Sequence, residues 1–476
     1  MFEKNFDDYI NPEFFELVER FEKMLDNRDV GFFEESALEQ IVEYYEEMGD
    51  HKKVLDAIGF ATEQYPFSSF FLIKKAQIFF DERNNDEALE VLEKAEIFSP
   101  SDISIYLLRA DIFLWNGMHE NALEEVQKAF SHADEEEYPD LYLEKADVFE
   151  DWEKYSEVFI NLEKTLEIDP ENYEALERMW FCVEILENYE ESIDFHTKLI
   201  DRKPYSYQAW YNLANAYSGL GFFEKAIEYF EFAIAINEKH HYAFRDCAEV
   251  LFKLKDYKKA AEYFQEAAIL NQTNRELSQK EIYFKLGLCN KKLNDLNRAR
   301  YYFRKATKLD PYMHEAFFQI GKTYAKEGKY DNAIHSFERA VKVNDQNTKY
   351  LKALAKALSK CSDFTASAKH YGQALSVNPN DVSTWKSYVL STYKTDELSL
   401  AVSRIDEAIK HFPDESALLF IKAAFLYENG RRNSAIDCFE IACSKDYNAY
   451  FKAFQIYPSM FDDSEIIRLM DIYKTN

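Results

Sequence analysis

The chain has few residues that interrupt a helix, with only 11 glycines and 10 prolines among 476 positions. With 47% apolar residues beside so few breakers, collagen-like, low-complexity and intrinsically disordered classes are excluded. Long hydrophobic runs are missing too: no stretch approaches the roughly 18 uncharged apolar residues of a membrane-crossing helix. The opening MFEKNFDDYINPEFF has no basic segment followed by an apolar one, so no signal peptide is expected. Cysteine is sparse and scattered, at Cys182, Cys247, Cys289, Cys361, Cys438 and Cys443. No C-x-x-C pair occurs, which excludes a disulfide framework or zinc ribbon and predicts core thiols in a cytoplasmic protein. Positive charge is in deficit as well. Fifty-seven Lys and Arg stand against 87 Asp and Glu, a net charge of -30 whose field repels phosphate and disfavours nucleic acid as a partner.

Chemistry-bearing motifs are also missing. No G-x-x-x-x-G-K-[ST], G-x-G-x-x-G, H-E-x-x-H or G-x-S-x-G occurs. His240 and His241 are adjacent, and neighbours on a helix point apart, so they are read as structural and not as metal ligands. Carboxylate pairs are too abundant in so acidic a chain for any one to mark a general acid and base. The sequence therefore predicts no enzyme, no cofactor and no metal.

What is present is a period. Tyr207–His240 reads YQAWYNLANAYSGLGFFEKAIEYFEFAIAINEKH, with Trp210, Leu213, Ala214, Tyr217, Ala226, Phe230 and Ala233 at positions 4, 7, 8, 11, 20, 24 and 27. Lys280–Met313 and His314–Asn347 repeat the pattern at a spacing of 34. Twelve units are placed, starting at Glu35, Ser69, Ile103, Pro139, Tyr173, Tyr207, His241, Lys280, His314, Thr348, Val382 and Ser416. Proline occupies position 32 in seven of them, Pro66, Pro100, Pro170, Pro204, Pro311, Pro379 and Pro413, where it stops a second helix. Glycine at position 15 (Gly49, Gly117, Gly221, Gly328, Gly430) suits the left-handed residue that ends a first helix. Small residues at 8, 20 and 27 let two helices approach, and large ones at 4, 7, 11 and 24 fill the gaps. The two weakest units carry Lys145 at position 7 and Trp180 at position 8.

On these residues the chain resembles the tetratricopeptide repeat family. The resemblance implies an all-α fold, an α-solenoid wound as a right-handed superhelix, with about twelve helix-turn-helix units between terminal caps. Four segments follow. Residues 1–34 form an N-terminal capping helix, with Asn11 as N-cap, Pro12 at the first turn and an apolar face of Phe14, Leu17, Val18, Phe21, Met24 and Leu25. Residues 35–274 form an acidic array of seven units, 280–449 a mildly basic array of five, and 450–476 capping helices broken by Pro458. Two insertions interrupt the period. Glu137-Tyr138 extends an acidic run read as a solvated loop, and Arg275–Gln279 is read as a lengthened helix or hinge.

The charge is lopsided. Residues 1–200 carry 52 acids and 17 bases, while 201–476 carry 35 acids and 40 bases. The family resemblance implies that positions 2, 5, 9 and 12 of each first helix line a concave groove. In the N-terminal part those slots hold Glu39, Glu43, Glu46, Asp111, Asp140, Asp147, Glu150, Glu174, Glu177 and Glu184. The middle units hold Gln208, Tyr211, Asn215, Tyr242, Arg245 and Phe252. The C-terminal part holds Lys322, Lys349, Lys352, Lys356 and Lys386.

The expected function is a non-catalytic adaptor for protein partners. A basic segment would lie in the N-terminal groove and an acidic peptide or chain terminus in the C-terminal groove. The family's carboxylate clamp, Lys and Asn four apart, is not reproduced, since Lys352 is followed by Lys356 and Asn212/Asn215 lack the lysine. Three further readings stay open: a regulatory subunit of an enzyme or larger complex, a ribonucleoprotein-associated binder using the basic stretch Lys253–Lys308, and head-to-tail self-association.

Overall fold

The computed structural model describes residues 12–27 and 31–474. Among them are twenty-seven α-helices and no strand, and the chain divides into two compact units, Met1–Glu238 and Lys239–Asn476. Within each unit the helices run in consecutive packed pairs.

The pairs start where the period places them. Ser69 opens the helix Ser69–Asp81, and Asn85, sixteen residues on, opens its partner Asn85–Phe98. The same offset separates His314–Lys326 from Tyr330–Val343, and Thr348–Lys360 from Phe364–Val377. The turn between paired helices explains this regularity. Position 15 is left-handed in every unit placed from the sequence. Where it is glycine, φ runs from 68° at Gly49 to 81° at Gly221. In the other units Arg83, Glu153, Glu187, Lys255, Asn294, Ser362 and Asp396 take the same conformation, with φ between 54° and 68°. The next N–H then reaches back to position 11, as in Asn84 to the Phe79 carbonyl (2.8 Å) and Lys329 to that of Tyr324 (3.0 Å). In ten of the twelve units, all but those opening with Tyr173–Leu186 and Val382–Tyr393, this reversal satisfies two orphan carbonyls of the first helix and fixes the hairpin.

Packing follows the size pattern. Ala88, Ala122, Ala226, Ala260 and Ala333 at position 20 are fully buried. At position 8, a Cβ on Gly287 or Gly321 would stand 2.5 Å from the ring of Phe303 or Phe337, the position-24 side chain of the same unit. The pair Tyr173–Leu186 and Tyr189–Arg202 departs from this rule. Trp180 sits where a small residue would let the helices close. The two helices touch little and pack mainly on their neighbours, Tyr155–Ile168 and Tyr207–Gly219. A buried polar chain crosses this looser region. His196 Nδ1 donates to the Ser192 carbonyl (2.8 Å), which leaves Nε2 to accept from Asn212 Nδ2 (3.2 Å). Asn212 Nδ2 also donates to the Leu176 carbonyl (2.7 Å), and its Oδ1 accepts from Gln208 Nε2 (3.3 Å).

At the start, helix Pro12–Asn27 buries Phe14, Val18, Phe21 and Met24, with Leu17 and Leu25 partly covered. Asn11 lies outside the described residues. At the other end come the short helix Phe451–Ile456, a 3-10 turn at Pro458–Asp462, and the helix Ser464–Lys474. Buried Asp463 stitches this cap down, accepting from Arg432 Nε (2.6 Å) and Tyr427 Oη (2.7 Å).

Both insertions are ordered. The acidic run forms a 3-10 turn, Glu135–Glu137, in which the Glu137 carboxylate accepts from the Asp134 N–H (2.9 Å). The second insertion extends a helix to eighteen residues, Tyr257–Asn274. Asn271 pins the segment that follows, accepting from Leu277 N–H (2.8 Å) and donating to the Leu277 carbonyl (2.9 Å). Five cysteines are buried as expected, but Cys361 is exposed, because it follows the last turn of a first helix instead of facing the core. His240 and His241 are both buried.

Candidate partner-binding faces

In Met1–Glu238 the polar faces of successive first helices form a carboxylate series. Glu46 is exposed and pairs with Lys74 of the next first helix at 2.6 Å, while Glu39 and Glu43 are half-buried on the same face. Farther along, Asp111 opens into a cavity of about 520 Å³ beside Phe80 and Trp115. Although Asp111 is exposed, the walls around it withdraw water and Asp147 adds its charge, so the carboxyl is raised to about 6. Glu144, half-buried on the next first helix, is pushed up to about 7 by desolvation and then by Asp111, Asp147, Asp140 and Glu174. Asp147 is also raised, burial outweighing Arg178. Arg178 is the one cation that reaches into this group among the described residues. It bridges Asp147 (2.5 Å), Glu150 (2.8 Å) and Glu174 (3.0 Å). Asp140, Glu177 and Glu184 are exposed.

The middle residues differ from the expectation. Tyr211 and Asn215 were expected on a displayed face but are only 6% and 7% exposed, and Gln208 is buried with them. Tyr211 packs on Phe230, with ring centroids 5.9 Å apart. Helix Tyr207–Gly219 is enclosed nearly all round, so residues at nominal surface slots serve the core. In the second unit, Arg245 lies against Asp246 (2.6 Å) and over the Tyr242 ring, and Phe252 is half-buried.

The groove-slot lysines of Lys239–Asn476 differ in their partners. Lys352 pairs with Asp381, and Lys386 pairs with Glu415 at 2.7 Å, each carboxylate lying just ahead of the next first helix. Lys349 and Lys356 are exposed and have no carboxylate partner among the described residues. Lys322 lies over the Phe318 ring and next to Lys291. Lys291 itself is lowered to about 8, first by desolvation and then by Lys322, Lys292 and Lys326. The sequence leaves two of these groups out of the expected groove, with Lys291 read only as part of the basic stretch Lys253–Lys308. Lys291 sits at a groove slot whose unit otherwise shows mixed residues there, and Glu144 sits at position 6, outside the four slots carried over. No group of His, Cys, Asp and Glu able to hold a metal is found among the described residues.

These features define a class: an array of helix hairpins in register, with polar first-helix faces. Tetratricopeptide repeat models match residues 205–268, 280–312 and 314–347. The chain is a tetratricopeptide repeat protein, of a kind that in general serves protein interaction and is not catalytic. No curated protein matches it.

Among solved structures, YrrB, described as a TPR protein with an unusual peptide-binding site, is 20% identical over 40% of this chain and 96% of its own, with a TM-score of 0.36. The C-terminal part of a TPR repeat-containing protein from Cytophaga hutchinsonii is 16% identical over 55% and 99%, with a TM-score of 0.44. A chain of the APC/C hetero-tetramer Cut9–Hcn1 is 16% identical over 92% and 94%, with a TM-score of 0.33. No helix among the described residues is long and apolar enough to cross a membrane.

Proposed function

We propose that the protein is an adaptor that holds partner proteins along the first-helix faces of its repeats, taking a basic segment on the acidic N-terminal faces and an acidic segment on the lysine-bearing C-terminal ones. The observation that carries this reading is the sorting of charge. Desolvation first and neighbouring carboxylates second raise Asp111, Glu144 and Asp147, and desolvation first and neighbouring lysines second lower Lys291, so each group disfavours its own charge. Each cluster stays under electrostatic stress until a counter-charge arrives, so a partner of opposite sign gains more here than at a scattered surface pair, which is worth only about 0.2–1 kcal/mol. Lys349 and Lys356 extend the basic face, and the cysteines, none disulfide-bonded, fit a reducing compartment such as the cytoplasm.

The test is a quantitative pull-down from native lysate with the wild-type chain and two charge-reversal variants. Lys322→Glu/Lys349→Glu/Lys356→Glu is expected to lose acidic partners and keep basic ones. Asp111→Lys/Glu144→Lys is expected to do the reverse. An identical partner set from all three proteins defeats the proposal.

A further inference from the structure

The second helices carry none of the expected groove slots, yet one seam between two of them gathers unpaired positive charge. Helix Leu296–Leu309 reads LNRARYYFRKATKL, five bases and no acid, in a chain where 87 acids stand against 57 bases. Between it and the next second helix, Tyr330–Val343, lies a cavity of about 340 Å³. Its floor is Phe317, Ile320 and Tyr324, positions 4, 7 and 11 of the first helix His314–Lys326. Small-molecule sites run from about 300 to 1,000 Å³, so this one suits a compact ligand.

The floor anchors two guanidinium groups at the rim. Arg304 Nη2 donates to Tyr324 Oη (2.6 Å), and the Arg339 guanidinium lies 4.0 Å from the centre of the Phe317 ring. Neither arginine has a carboxylate partner among the described residues, and no Asp or Glu lines the cavity. The hydroxyls of Thr307 and Ser336 are turned onto their own helices, donating to the Arg304 carbonyl (3.1 Å) and the Asn332 carbonyl (2.8 Å). What remains for a ligand is the two guanidinium forks, the exposed Asn332 amide and the exposed His335 imidazole.

The same seam two units on shows the alternative. There Glu407 takes position 26, where Arg339 stands here, and pairs with Arg404 at 3.0 Å, so that cavity supplies its own counter-charge. The seam at Arg304 and Arg339 does not. Two forks of N–H donors on one small cavity match an anion that accepts on several oxygens at once, and a phosphate monoester offers three where a carboxylate offers two. We infer that this second-helix cavity binds a small organic phosphate monoester, its phosphoryl oxygens bonded to Arg304 and Arg339 with Asn332 and His335 beside them, and its carbon body against Tyr324. The site is separate from the first-helix faces and stands or falls apart from the adaptor reading.

Isothermal titration of the full chain with phenyl phosphate, at fixed ionic strength, is the test. One saturable site is expected, at least about tenfold tighter than for benzoate, which keeps the ring but carries a carboxylate. Arg304→Gln and Arg339→Gln should each weaken binding at least about tenfold, the loss of a charge-assisted bond. Arg339→Lys, which keeps the charge without the fork, should recover only part of the affinity. Arg339→Glu copies the Glu407 arrangement and should abolish binding. Arg298→Gln, on the same helix but outside the cavity lining, should leave the affinity unchanged. Because Arg298, Arg304 and Arg339 are exposed, each unliganded variant should melt with the wild type.

Absence of saturable phenyl phosphate binding overturns the proposal, as does equal affinity for benzoate or wild-type affinity in both glutamine variants. Binding confined to a phosphotyrosine peptide also overturns it, since the phosphate would then arrive on a protein. So does an equal loss in Arg298→Gln, since the general field of the helix would then suffice.

Discussion

His196 occupies position 24 of its unit, where the next four units carry Phe230, Phe264, Phe303 and Phe337. A buried imidazole needs partners that a phenyl ring does not, and Asn212 supplies them while also satisfying Leu176 and Gln208. Asn212→Ala leaves the Nε2 acceptor and a carbonyl unpaired in the interior, so chemical denaturation at neutral pH should show a loss of about 2–3 kcal/mol. Burial lowers His196 to about 4 from 6.5, so the folded protein binds fewer protons than the unfolded chain in that window. Its contribution is whole above pH 6.5 and drains away as pH falls toward 4. Urea titrations across that range should show a His196→Phe variant losing less stability on acidification than wild type.

Glu144 has the opposite linkage. Its carboxyl is raised from 4.5 to about 7, so ionisation costs stability progressively as pH rises through that interval. Glu144→Gln should therefore raise the melting midpoint at pH above about 7 and leave it unchanged near pH 4. A compensating fall in affinity for basic partners would accompany the gain. Neither residue was legible beforehand as more than a position in the period. The partner of His196, Asn212, comes from the first helix of the next repeat, and besides desolvation and the Asp147 and Asp140 of its own helix, Glu144 feels Asp111 and Glu174 of the flanking repeats, relations that no single repeat contains.

Helix by helix, far more was readable. A spacing of thirty-four with small residues at 8, 20 and 27 fixed where each helix begins, because only those offsets let Ala226 or Ala333 meet the partner helix without a gap. The sequence also showed glycine at five of the position-15 turns. It could not show that the same left-handed turn persists at Lys255 or Ser362, since capping hydrogen bonds and packing override a local preference worth only about 1–2 kcal/mol. Lys255→Gly and Ser362→Gly should each stabilise the fold by about 0.5–1 kcal/mol in equilibrium unfolding, relief of the Cβ clash exceeding the entropy glycine adds to the unfolded chain. Trp180 marks the limit of the pattern: an oversized residue at position 8 was visible as an oddity, but the loosening of its hairpin depends on what the flanking helices can absorb. Tyr211 and Asn215 fail for a related reason, their slots being covered by neighbours whose packing the repeat alone does not encode.

Across the whole chain, the first 200 residues carry all of the excess negative charge, and the remainder is slightly positive. Any basic partner held there should respond strongly to salt, because several exposed pairs act together and each is screened over about 8–10 Å. Fluorescence anisotropy with a labelled lysine-rich peptide should show affinity falling by about tenfold between low and roughly physiological ionic strength, with little change for Asp111→Lys/Glu144→Lys. The two departures from regular spacing, at Glu137-Tyr138 and Arg275–Gln279, both fall at joints between one hairpin and the next, where a 3-10 turn or an extended helix takes up the surplus. A reversal locked by two backbone bonds tolerates no such surplus, so length variation is confined to the seams. For anyone wishing to graft a fluorophore, an epitope or a whole domain into this molecule, the acidic seam at Asp134–Glu136 is the permissive place, and the tight reversals after each first helix are closed to cargo.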